Sequence, residues 1–96
     1  MNRPPETLDG ALVQLYVCLS EEHTATHATR HFVGGALVES VAALAICTYG
    51  ADPGFYLFYC GPEWQVITDT FHETLHAAQG QAEFEFSGVS SSWLER

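Results

Sequence analysis

The sequence predicts an α+β domain in which an antiparallel meander of about four to five strands packs against one C-terminal helix. Three observations carry this. Short runs rich in β-branched and aromatic residues recur along the chain, as ALVQLYVCL over residues 11–19 and FYLFYC over 55–60. Turn signals separate them at Gly34-Gly35, Ala51-Asp52-Pro53-Gly54 and Gly61-Pro62-Glu63. A stripe at helical spacing, Phe71, Leu75, Ala78, Ala82 and Phe86, follows the last run.

Each element has its own signal. Residues 1–10, with Pro4, Pro5 and Gly10 as breakers, read as a flexible lead-in to a single domain over 11–96. The first strand spans 11–19, with Val13, Leu15, Val17 and Leu19 on its more apolar face. Ser20-Glu21-Glu22 opens a polar stretch to Arg30 that reads equally as a short helix capped by Ser20 or as a loop. Phe32 to Leu37 reads as a hairpin, because Gly34-Gly35 allows positive φ at both turn positions. Residues 41–49 are assigned to a strand, although their alanines also suit a helix, so 21–47 stays open between helical and extended. In the 51–54 turn, Pro53 presets φ and Gly54 supplies the left-handed position. Residues 55–60 are apolar on both faces, as a central strand requires. The next strand spans 64–70, and the helix runs from about 71 to 86. On that helix Phe84 points away from the apolar stripe, towards Trp93 in the 89–96 tail or towards a partner protein.

Composition narrows the function. The 96 residues are 47% hydrophobic and 16% charged, which describes one folded domain with a modest core. No apolar run reaches membrane-spanning length, and the leading residues lack an apolar signal core, so a cytoplasmic location is expected. Cys18, Cys47 and Cys60 sit among apolar residues and form no C-x-x-C pair, so buried reduced thiols are expected. Twelve acids oppose three arginines, Arg3, Arg30 and Arg96, with no lysine, for a net charge of −9. Nucleic-acid binding is disfavoured, because phosphate neutralisation needs a basic face. Attraction to basic proteins is favoured.

One motif looks like chemistry. His72-Glu73-Thr74-Leu75-His76 matches the H-E-x-x-H pattern of zinc proteases. On a helix, His72 and His76 share a face and could both reach a zinc ion, with Glu73 as general base. The longer form of the motif would need Gly at 79 and His at 82, where this chain has Gln79 and Ala82. Glu83 shares the stripe but lies roughly 16 Å from His72 along a straight helix, too far for the same ion. A third ligand would have to come from elsewhere in the fold, with His23, His27 and His31 as candidates, which form a column only if their stretch is helical. A capping box of Thr70 and Glu73 explains the same residues at less cost. Other constellations are weaker. Cys60 suits packing better than a nucleophile role. Asp69 and Glu73 suit capping better than acid–base work. Tyr49, Tyr56, Tyr59 and Trp64 suit the core better than a pocket rim.

The runs Gly54 to Cys60, Thr68 to Leu75 and Gln81 to Phe86 together resemble a family of small uncharacterised bacterial α+β proteins. In that family a GxYLFY strand precedes TDTxHxTL and QAEFEF. The likeness covers roughly the C-terminal half and implies no activity. In that pattern the place of His72 keeps a histidine while that of His76 is often acidic, which implies that the zinc motif here is accidental. In size and charge the chain is also similar to bacterial immunity proteins, which block basic toxin enzymes.

The leading expectation is therefore a non-enzymatic acidic interaction module without a cofactor. It would bind a basic protein or self-associate, for instance as a homodimer, with Phe84 and Trp93 as contact candidates. The alternative is a minimal zinc hydrolase with His72 and His76 as ligands and Glu73 as base.

Overall fold

The computed structural model describes residues 2–27, 31–34, 36–38 and 40–96. Strands β1 (Thr7–Leu8) and β2 (Ala11–Cys18) form a hairpin around Asp9-Gly10. Both turn residues adopt positive φ, 48° and 81°, as a type I′ turn demands. Strands β3 (Thr24–Ala25), β4 (His31–Val33) and β5 (Ala36–Val38) follow, and β4 pairs with β5 as the expected hairpin. Gly35 in its turn and residues 28–30 of the preceding polar stretch lie outside the described residues. Strands β6 (Ala43–Thr48), β7 (Phe55–Cys60) and β8 (Val66–His72) make an antiparallel meander. Helix α1 (Leu75–Glu85), β9 (Phe86–Ser87), a 3-10 turn (Val89–Ser91) and β10 (Leu94–Glu95) complete the chain. The main sheet runs β1-β2-β6-β7-β8, with β10 also pairing β2, and β3 pairs separately with β9. The α+β architecture is the one expected.

Both faces of this sheet are buried over β6 and β7. Under the helix, Val17, Leu44, Ile46, Leu57 and Tyr59 meet Ala78, Ala82 and Val89. On the opposite face Leu8, Ala11, Val13, Ala43, Ala45, Cys47, Phe58, Cys60 and Trp64 pack together. The assignment follows from period-two alternation in β6 and β7, where every side chain from Leu57 to Cys60 is buried on one side or the other. Small residues at 43, 45 and 47 let the chain pack closely against the opposite face.

Several local expectations are corrected. Residues 2–10 belong to the domain: Pro4 and Leu8 are buried, the Trp64 indole N–H donates to the Asn2 carbonyl at 2.9 Å, and Arg96 Nε donates to the Pro4 carbonyl at 2.9 Å. The apolar stripe of β2 is split by a register shift between Val13 and Leu15, so Val13 faces one cluster while Leu15 and Val17 face the other. A second shift leaves Ile67 unpaired, with Val66 opposite Cys60 and Thr68 opposite Tyr59. Trp64 belongs to the preceding turn at φ 65° and not to the strand. In the 50–54 turn the left-handed glycine is Gly50 and not Gly54. Of the two readings left open for the polar stretch after β2, its described residues to His27 take the non-helical one, forming a turn, β3 and a left-handed His27. The helix begins at Leu75 and not Phe71, because Phe71 and His72 remain paired with Tyr56 and Phe55 in the ladder. No helix among the described residues is long and apolar enough to cross a membrane.

Candidate functional site

The HETLH segment does not form one helical face. His72 ends β8, Glu73 and Thr74 make a bend, and Leu75 and His76 open α1. Thr74 is the N-cap, its hydroxyl accepting the Ala77 N–H at 3.0 Å, so the expected Thr70–Glu73 capping box is not formed. His76 and Glu73 are exposed, whereas the His72 ring is turned to Thr70. The shared face on which a zinc reading depends is therefore missing. Among the described residues, no three His, Cys, Asp or Glu side chains converge as metal ligands.

His23 and His31 are engaged separately, and His27 is exposed. His23 Nδ1 accepts the Ser20 N–H at 3.1 Å, so in the neutral ring Nε2 carries the proton towards Ser92 Oγ at 2.8 Å. His31 reaches a different partner, Glu85. Glu83 is held by the backbone N–H groups of Gly88 and Ser90, each at 2.9 Å, which lower its carboxyl below the usual range. The Cys60 thiol is pushed up to about 12, mainly by burial, which suits packing and not nucleophilic attack. Tyr59 projects to the helix face while Tyr49, Tyr56 and Trp64 lie on the other, so these four rings rim no common pocket.

A polar chain crosses the helix face. Glu85, at the end of α1, is 5% exposed and is the one buried charged residue among those described. A carboxylate there sits unfavourably at the negative end of the helix and out of water. Three donors offset this. Tyr59 OH donates to Oε2, Gln81 Nε2 donates to the same oxygen at 3.0 Å, and His31 Nε2 lies 2.5 Å from Oε1. The His31 ring also rests on Tyr59 at 4.3 Å between centroids. Because Tyr59 gives its proton to Glu85, Thr70 must donate to the Tyr59 oxygen, at 3.5 Å. Thr70 then accepts from His72 Nε2 at 2.8 Å. The hydrogen bonds thus run from His72 through Thr70 and Tyr59 to Glu85. Burial, then the bond to Glu85, raises the Tyr59 hydroxyl far above its ordinary value and keeps it protonated. The chain pins hairpin, helix and sheet together. The described clefts lie elsewhere, one of about 340 Å³ beside His23, Val41 and Phe86 and one of about 360 Å³ between His76, Glu83 and Trp93.

The opposite face carries a different feature at its β8 end. Tyr49, Tyr56 and Phe71 form a ladder of rings across the strands. Tyr49 and Tyr56 are 5.0 Å apart at 84°, and Tyr56 and Phe71 are 5.1 Å apart at 62°. The Tyr56–Phe71 rung follows from their direct pairing in register. Aspartates surround it. Asp52 takes the Tyr56 hydroxyl on Oδ2 at 2.9 Å and the Gly54 N–H on Oδ1 at 3.1 Å. Tyr49 OH donates to the Asp9 carbonyl at 3.3 Å. The hydrogen bond to Asp52 raises the Tyr56 hydroxyl, and slight burial with the Asp69 and Asp9 charges raises that of Tyr49. Phe71 is 52% exposed. The contact candidates from sequence fare differently, for Phe84 is 57% exposed while Trp93 packs against the helix-face cluster.

Compared with known proteins, the chain matches no family model, no curated protein and no solved structure. The ladder residues were visible in the sequence only as scattered aromatics. Their signal was an acid shortly before two of the three rings, Asp52 four before Tyr56 and Asp69 two before Phe71.

Proposed function

We propose that the protein is a non-enzymatic interaction module that binds a basic protein partner through the Tyr49–Tyr56–Phe71 ladder and its aspartates. The ladder carries the reading. Aromatic faces attract cations; Phe71 is exposed, Tyr49 and Tyr56 are half-buried beside it, and Asp9, Asp52 and Asp69 add negative charge around them. Arginine and lysine side chains match both. The wider surface agrees, since among the described residues the single ion pair is the buried His31–Glu85 contact, and neither Arg3 nor Arg96 pairs with a described surface acid. Self-association is the weaker form of the reading, because two copies at −9 each repel. The split HETLH segment and the structural role of Glu85 weigh towards binding over catalysis.

Titration of an oligoarginine peptide against the whole chain tests this. Binding should weaken steeply with salt. Replacing Asp9, Asp52 and Asp69 together by Asn should remove most of it, and replacing Glu21, Glu22 and Glu95 by Gln should remove little. Equal losses from the two sets would rule out the ladder as the binding face.

A further inference from the structure

We infer that the partner contributes an extended segment that adds as a strand to the open edge of β8, with basic side chains at alternate positions over Phe71 and Asp69. The inference rests on the basic-partner reading above and says how that partner is held.

The two edges of the sheet differ. Along β2, both β1 and β10 fill the outer edge in tandem, pairing at Leu12 and Ala11 and at Tyr16 and Leu15. At the other end, β8 is seven residues long and, among the described residues, pairs with β7 alone. Among the described residues, no further backbone hydrogen bond involves Val66 to His72. Strand β4 approaches from the helix face, where His31 rests on Tyr59, but among the described residues it pairs only with β5. From Thr68 to His72 the edge is regular and contains no proline, lysine or bulge to blunt it. Its one charge is Asp69, which sets a like charge against a second copy of this acidic chain and an unlike one against a basic strand.

Register then specifies the partner. Phe71 and Asp69 are two apart on the same face of β8, opposite Tyr56 and Phe58. A strand laid along β8 would bring its own side chains to about 4.5–5.5 Å from these two, Cβ to Cβ. An arginine opposite Phe71 continues the ring ladder by one cationic rung. Another, two residues along, meets the Asp69 carboxylate. The segment is therefore extended and carries Arg-x-Arg.

Three synthetic peptides test this against the whole chain: alternating Thr-Arg-Thr-Arg-Thr-Arg-Thr, its isomer with the arginines contiguous, and the alternating peptide with its edge-facing backbone nitrogens methylated. The alternating peptide should bind and slow amide exchange in β8. The isomer should bind about tenfold more weakly, and methylation should abolish binding. Asp69→Asn and Phe71→Leu should each weaken binding about threefold to fivefold, and Glu95→Gln should leave it unchanged. If the methylated or contiguous peptide binds as well as the parent, or if neither variant weakens binding, strand addition is overturned while basic-partner binding stands. If no arginine peptide binds even at low salt, both readings are overturned.

Discussion

Phe71 lies over Gly54, its ring occupying the space where a β-carbon at residue 54 would stand. This explains the glycine better than turn geometry does, because Gly54 does not have the positive φ found at Gly50. The turn and the ladder are thereby coupled: Asp52 holds both Gly54 N–H and Tyr56 OH, and Gly54 leaves room for the ring that Tyr56 meets edge-on. Gly54→Ala should displace Phe71 and cost about 1–2 kcal/mol, the low end of overpacking because an exposed ring can swing aside. In a Phe71→Ala background the same change should be close to neutral. A double-mutant cycle in urea checks this, and additive costs would show that the ring is not what excludes a side chain at 54.

Glu85 should behave as a structural pin. Glu85→Ala leaves the Tyr59 hydroxyl, Gln81 and His31 without their shared acceptor in a buried site. A loss of about 3 kcal/mol is expected, in the range for a broken buried pair. Tyr59→Phe removes one donor and should cost about 1–2 kcal/mol. Urea midpoints at constant m-value measure both. A Glu85→Ala protein as stable as wild type would mean that the carboxylate gains nothing from its three donors.

The sheet was legible because its signals are local. The buried run at 55–60 and the proline–glycine turns around it need no tertiary information. The helix start was misplaced because Phe71 fits the helical stripe by spacing, while its pairing with Tyr56 is a cross-strand fact that periodicity does not contain. The Asp9-Gly10 hairpin was readable, being among the strongest two-residue turn signals, but the prolines before it drew the reading towards a lead-in. The Glu85 chain was not readable. It joins residues 31, 59, 70, 72, 81 and 85, whose meeting depends on register and on where the helix ends. The ladder was half readable, since its rings and acids stand in the sequence but their common face is fixed only by pairing.

Acid should weaken the fold first through His72. Burial lowers the pKa of this ring below its ordinary 6.5, with the Glu85 charge opposing. A base with a depressed folded pKa binds fewer protons in the native than in the unfolded state. Its contribution is present above about pH 6.5 and is lost as pH falls below that value. Glu83, held by Gly88 and Ser90, acts in the same direction but only below its ordinary 4.5. Stability measured in urea from neutral to mildly acid pH should therefore decline in wild type before the carboxylates titrate. His72→Gln should flatten the upper part of that decline. An unchanged slope in the variant would assign the effect to another group.

The thiols of Cys47 and Cys60 should be inert in the folded chain. Both are fully buried and pushed up to about 12, chiefly by burial. Thiolate is the reactive form, so disulfide reagents at mildly alkaline pH should modify them only at the rate of unfolding. Fast modification of either one in native protein would place it outside the core.

Thr70 and Thr74 separate the two possible beginnings of the helix. The Thr74 hydroxyl accepts the Ala77 N–H, and Thr70 lies in β8 between Tyr59 and His72. Thr74→Ala should cost about 1 kcal/mol and speed exchange of the Ala77 amide, because an N-terminal donor loses its acceptor. Thr70→Val keeps the shape and β-branching but removes the hydroxyl. It should leave Ala77 protected and instead alter the acid dependence that His72 brings, since that ring loses its hydrogen-bond acceptor. Opposite outcomes, with Ala77 exposed by Thr70→Val and untouched by Thr74→Ala, would restore the capping box at Thr70 and return His72 and His76 to one helical face.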